Sequence, residues 1–159
     1  MNFRFSMGSV ERATSFGKVV YNANNTLIES DFQEVVVRDN SAGSIFCFGS
    51  VKSKDKSKEI GACLDLIIEQ SLHSIVSELE GRFVLFLVTQ NGLYASSDQF
   101  GKLDIYYQEN ENNITLASNF DLLPESPAKD GFNQDALVHT LTYYGYCPPK
   151  KDTLYNSVK

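Results

Sequence analysis

Residues 82–90 read RFVLFLVTQ, and Phe83 to Val88 are apolar without a break. No other stretch constrains the fold so strongly. Asn91-Gly92 follows, then LYASSD at 93–98. Asn-Gly between two strand-like runs is the strongest short-range hairpin signal, because both turn residues must take positive φ. The run is therefore one arm of an antiparallel pair. Antiparallel sheets commonly leave one face wet and then alternate apolar with polar residues. This strand does not alternate. Both its faces need cover, for instance helices on one side and a second sheet on the other.

A covering helix is written upstream. Ile60, Leu64, Ile67, Ile68, Leu72, Ile75, Val76 and Leu79 recur at three- and four-residue steps. That spacing predicts one amphipathic helix over 57–79, with Ser57 as N-cap and Gly81 ending it. Cys63 borders the apolar stripe as a small core residue, and His73 falls on the opposite, solvent-facing side. The polar run KSKDKSKE (52–59) reads as a solvated loop leading into the helix.

The remaining apolar stretches are strand-like. QEVVVRD (33–39) and SIFCFGSV (44–51) are rich in β-branched and aromatic residues, with a turn at NSAG. Residues 1–30 carry shorter, weaker strands between Asn- and Ser-rich turns. KLDIYYQ and NITLASN form a further hairpin around ENEN. A second helix is expected over 132–145. Asn133 caps it, and Leu137, Val138, Leu141 and Tyr144 line its apolar face. Gly145, Pro148 and Pro149 stop it. His139 sits beside that stripe and reads as a buried or half-buried structural histidine. The chain closes on a strand-like DTLYNSVK, expected to be loosely anchored.

Composition narrows the function. A length of 159 residues suits one domain with a core of its own. A net charge of -6 argues against nucleic acid or an anionic membrane as partner. Cys47, Cys63 and Cys147 are odd in number and contain no CxxC pair. They form neither a disulfide framework nor a zinc site, which fits a reduced, cytoplasmic chain. No apolar run is long enough to span a membrane. Arg4, Glu11, Arg12 and Lys18 interrupt any signal-peptide core. No Gly-rich phosphate loop is present.

Four short motifs, in order over 79–159, give the chain a family likeness. LEGRF (79–83) resembles a Leu-x-Gly-x-Phe motif. ASSDQFGKLDIYY (95–107) is similar to Arg-Asp-Arg-Phe-Gly followed by Pro-Leu-Tyr-Tyr. LASN (116–119) stands where Phe-Ala-Ser-Glu is usual. QDALVHTLTYYGYCPPKKDTLY (134–155) resembles Asp-x-x-Ala-Leu, Gly-Tyr-x-Pro and Thr-Leu-Tyr. Together they resemble the class II glutamine amidotransferase domain of the asparagine synthetase family. The resemblance implies an α+β fold of the N-terminal-nucleophile kind, a four-layer α/β/β/α sandwich of mainly antiparallel sheets. It makes residues 1–159 a single amidotransferase-like domain, the N-terminal part of a longer protein.

The same resemblance implies a lost activity. In the family, residue 2 is a cysteine freed by removal of Met1. Its thiolate attacks the glutamine amide, its own α-amine serves as base, and an Asn-Gly pair forms the oxyanion hole. Here residue 2 is Asn2, a carboxamide with no nucleophilic atom. Phe48-Gly49 stands nearest to the Asn-Gly pair, so the side-chain donor is missing while the Gly49 N–H remains. Asp98 matches the aspartate that holds the α-amino group of glutamine; by its own sequence it reads first as a turn aspartate ahead of Gly101, a glycine of positive φ. The expectation is a chain with no catalytic residue, a vestigial glutamine pocket at Asp98 and Gly49 that takes at most a weak amino-acid ligand, and no metal or cofactor. ATP and Mg belong to the C-terminal ATP-pyrophosphatase synthetase domain, the expected partner, for which this chain acts as scaffold. An active amidohydrolase with another nucleophile and a free-standing interaction module are the alternatives.

Overall fold

The computed structural model describes residues 2–8, 17–23, 25–70, 76–126, 131–142 and 153–158. Its strands are β1 (Phe3–Gly8), β2 (Lys18–Ala23), β3 (Thr26–Ser30), β4 (Val35–Asn40), β5 (Gly43–Ser53), β6 (Leu79–Thr89), β7 (Gly92–Ser97), β8 (Tyr106–Asn110) and β9 (Asn113–Ala117). Helix α1 spans Ile60–Gln70 and α2 spans Gln134–Thr142. Every strand pairing described is antiparallel. The chain divides into two compact units, Phe32–Asp104 and the remainder.

In the unit Phe32–Asp104 the strand order is β4-β5-β6-β7. The β6–β7 hairpin forms, but its turn residues are Gln90 and Asn91: Gly92 is the first residue of β7, opposite Thr89, and Asn91 does not take positive φ. Phe83 to Leu87 are buried and Val88 is half-buried. One face of β5 and β6 presents Ile45, Cys47, Phe83, Leu85 and Leu87 to Cys63, Leu64, Ile67 and Ile68 of α1. The other face holds Phe46, Phe48, Val84 and Phe86, all fully buried. There the Phe48 ring meets those of Phe32 and Phe86 edge-on.

Two further expectations in this unit fail for local reasons. The helix begins at Ile60, not 57. Asp55 Oδ1 accepts from the N–H of Ser57 at 3.0 Å and from its hydroxyl at 2.6 Å. Ser57 is consumed in that Asx turn, and the Glu59 carbonyl takes the first helical bond, from Cys63 N–H at 3.3 Å. Residues 71–75 of the expected helix, His73 included, lie outside the described residues. Gly81 does not end a helix either. It lies inside β6 with φ of 136°, opposite Val51, where any Cβ would run into the Ser50 carbonyl.

The other unit carries the strand order β2-β3-β1-β9-β8. Residues alternate cleanly along β1. Phe3 and Phe5 are buried on one face, Arg4 and Ser6 on the other. Arg4 pairs in register with Glu29 of β3 and Ala117 of β9. Ala117, Leu123 and Val158 form a small core with Tyr106, Phe120 and Tyr155 packed around it. Residues 153–158 are therefore anchored, contrary to the expectation of a loose end. Thr153 Oγ1 donates to the Val158 carbonyl at 2.7 Å, and Phe132 and Tyr155 form a bridge with stacked rings.

Helix α2 is capped as expected, Asn133 Oδ1 accepting from Ala136 N–H at 3.1 Å. Its inward side is different. Ala136 is buried and Thr140 half-buried, whereas Leu137, Val138 and Leu141 are exposed. Ala136 is the one described residue of α2 that is buried. His139 too is exposed rather than buried. Tyr144, Gly145, Pro148 and Pro149 lie outside the described residues.

Candidate functional site

Gly49 and Asp98 come together around one strand residue. Gly49 stands opposite Phe83 across β5 and β6, and on the far side of β6 the Asp98 N–H donates to the Phe83 carbonyl at 3.0 Å. The row continues outward, because the Gly49 N–H donates to the Glu34 carbonyl at 3.0 Å. Glu34, Gly49, Phe83 and Asp98 thus form a row across all four strands, beyond which only β5 and β6 stay paired, to Ser53 and Leu79. Glu34 is the member sequence reasoning missed. Its contribution is a carbonyl, which no side-chain motif reveals.

Neither predicted pocket residue points its polar group at open space. The Gly49 N–H, the one oxyanion donor left by the Phe48-Gly49 pair, is already spent on Glu34. Gly49 has φ of 99°, and a Cβ there would collide with the Arg82 carbonyl, so glycine is required by strand packing alone. Asp98 is 5 % exposed. Its Oδ1 accepts from Phe100 N–H at 3.0 Å and its Oδ2 from Lys102 N–H at 3.2 Å. Its carbonyl accepts from Gly101 N–H at 2.9 Å, and Gly101 takes φ of 58° as expected. Asp98 is the organiser of its own loop. Phe100 is displayed at its tip, 75 % exposed, with Lys102 Nζ 5.2 Å from the ring centre.

Asn2 lies in the other unit and is also tied down. Its backbone N–H donates to Asp31 Oδ1, and its side-chain Nδ2 to Asp31 Oδ2 at 3.4 Å. Its Oδ1 accepts from the Ser118 hydroxyl at 3.5 Å, and its carbonyl from Asp31 N–H at 3.1 Å. The described cysteines offer no substitute nucleophile. Cys47 on β5 and Cys63 on α1 are buried in the same core, and burial pushes the Cys47 thiol up to about 12. A thiol so shielded carries no thiolate at neutral pH. Cys147 lies outside the described residues, and among those described no cluster of His, Cys, Asp and Glu is arranged to hold a metal ion. No described helix is long and apolar enough to cross a membrane.

No family model matches this sequence, and no curated protein matches it either.

Proposed function

We propose that this chain is a glutamine amidotransferase-like domain without glutaminase chemistry, serving as scaffold for an ATP-dependent amide-forming domain in the cytoplasm. The reading carries with it the four-layer α/β/β/α arrangement of the family it resembles. The observation that supports it best is at position 2. Asn2 has no nucleophilic atom, and its backbone N–H and side chain are held by Asp31 and Ser118. The occupied N–H of Gly49 and the loop-bound carboxylate of Asp98 point the same way. Acyl transfer needs an attacking atom and preorganised donors for the developing oxyanion. Here the residues at the matching positions are engaged in holding strands and loops.

The test is ammonia release from glutamine by the purified chain. The expected rate equals that of buffer. Glutamine-dependent release that a single substitution in this chain abolishes would replace this reading with that of an active amidohydrolase. The scaffold role is tested separately, by producing an amide-forming partner domain with and without this chain; its soluble yield or ammonia-dependent activity should fall without it.

A further inference from the structure

Four described strands border the two sheets, β2 and β8 in one and β4 and β7 in the other. Edge strands present unpaired N–H and C=O groups, and proteins usually blunt them with charged residues or proline. β2 carries Lys18, β4 carries Arg38 and Asp39, and β8 carries Glu109. β7, GLYASS, carries neither charge nor proline. Tyr94 is 46 % exposed and Ala95 is exposed as well. Phe100 stands clear of the surface in the loop that follows.

The phase of the β7 ladder is fixed by the bond from Asp98 N–H to the Phe83 carbonyl. In an antiparallel pair, residues alternate between those that bond to the neighbour and those that turn their N–H and C=O away. With Asp98 bonding inward, Ser96 and Tyr94 also bond to β6. Leu93, Ala95 and Ser97 therefore turn their backbone groups to the edge with which no described strand pairs. Of these, the Ser97 carbonyl has a long contact from the Ser96 hydroxyl at 3.4 Å.

We propose that β7 is a homodimerisation edge, pairing antiparallel with β7 of a second copy about a two-fold axis at Ala95. In that register Ala95 faces Ala95 of the second copy, and Leu93 faces its Ser97. Each such pair exchanges an N–H···O bond in both directions, so every outward group finds its complement. A two-fold axis sets like against like, which is why the occupant is a second copy and why this edge is the one used. On β4 and β8, copies paired this way would bring equal charges close to the axis, and on β2 the register shift between Val19 and Tyr21 breaks the regular edge that such pairing needs. On β7 uncharged side chains meet, with Tyr94 directly opposite Ser96 of the second copy. The net charge of -6 on each chain opposes association at long range and is screened by salt, so the dimer should tighten as ionic strength rises. This inference stands independently of the amidotransferase reading.

Sedimentation equilibrium of the 159-residue chain from about 1 µM to about 1 mM tests it, a span that covers weak to moderate self-association. The expected mass passes from one chain to two. Hydrogen exchange across the same range should show protection rising at the amides of Leu93, Ala95 and Ser97, with Tyr94 and Ser96 unchanged. Ala95→Lys, which apposes two ammonium groups at the axis, should weaken the dimer at least about tenfold, equivalent to 1.4 kcal/mol. Asn110→Lys on the edge of β8 adds the same charge and should leave it intact. A single-chain mass throughout, a dimer that survives Ala95→Lys, or protection that rises on another edge would each overturn the proposal. If Ala95→Lys fails to fold, the exchange pattern of the unsubstituted chain decides alone.

Discussion

Arg4 and Glu29 face each other across β1 and β3, and the guanidinium Nε donates to Glu29 Oε2 at 2.9 Å within a buried sheet face. Neither side chain reaches water to any useful extent, so each relies on its partners inside the protein. Removing one member of such a pair leaves a buried charge uncompensated, at a cost of about 3–5 kcal/mol. Urea unfolding of Glu29→Ala should show a loss of that size. The double variant Arg4→Met with Glu29→Leu should recover most of it, because apolar residues of similar volume remove both desolvation penalties together. A double variant as unstable as Glu29→Ala would mean that the pair itself, not its half-removal, sets the stability of this sheet.

Gly49 and Gly81 lie on neighbouring strands either side of the Ser50–Arg82 pair, both with positive φ. Each would drive a Cβ into a backbone carbonyl of the other strand, Arg82 for Gly49 and Ser50 for Gly81. Gly92 also has positive φ, but a Cβ there meets nothing within 4 Å. Gly92→Ala should therefore lose only the backbone strain, about 1–3 kcal/mol. Gly49→Ala and Gly81→Ala should each lose more, measured by the same denaturation. Equal losses at the three sites would show that the strands part easily at this point.

How much of this was legible in the sequence varies by element. The Asn133 cap and the existence of the β6–β7 hairpin were readable because each is decided within a few residues, whereas the turn itself fell one residue earlier than Asn91-Gly92. The start of α1 was not. Asp55 and Ser57 both favour capping geometries, and their side-chain bonding to each other removed Ser57 from the helix. Gly81 misled because positive φ serves a helix end and a close strand crossing equally well. The Arg4–Glu29 pair joins residues 25 apart in the chain, which no local pattern reports. Its one trace is the alternation Phe3-Arg4-Phe5-Ser6, which sets Arg4 on the face opposite the phenylalanines. At Asp98 the same letters fit a ligand carboxylate and a turn carboxylate, and only the positions of the Phe100 and Lys102 amides show what it bonds to.

Burial pushes the Cys47 thiol up to about 12 from an ordinary value of 9.0. The unfolded chain loses that proton near 9 while the folded chain keeps it, so the unfolded state binds fewer protons and stability falls as pH rises. The contribution is fully present below about pH 9 and is lost progressively toward pH 12, up to about 4 kcal/mol over the interval. Cys47→Ala should show a shallower alkaline decline than the unsubstituted chain. At neutral pH, Cys47 and Cys63 should resist iodoacetamide until denaturant is added, read peptide by peptide in a mass spectrometer. Labelling of either in the folded chain would contradict the packing of α1 on β5 and β6.

Asn2→Cys is the variant that brings the missing nucleophile to its matching place, and it should still release no ammonia from glutamine. A small second residue favours removal of Met1, so the variant would carry both a thiol and a free α-amine. That amine would take the place of the Asn2 backbone nitrogen, beside the Asp31 carboxylate. A neighbouring carboxylate favours the charged ammonium, which is no base. The oxyanion would also lack its side-chain donor, and the Gly49 N–H would remain on Glu34. Loss of a single such donor lowers turnover by about a hundred- to a thousand-fold. Calorimetry with glutamine completes the measurement. Weak or absent heat, unchanged in Asp98→Ala, is expected if Asp98 serves only its loop. Asp98→Ala should instead raise hydrogen exchange at Phe100 and Lys102, whose amides lose their acceptors. Ammonia release by Asn2→Cys above the unsubstituted chain would show that the site is complete but for one atom, and tight glutamine binding lost in Asp98→Ala would make the domain a sensor rather than a scaffold.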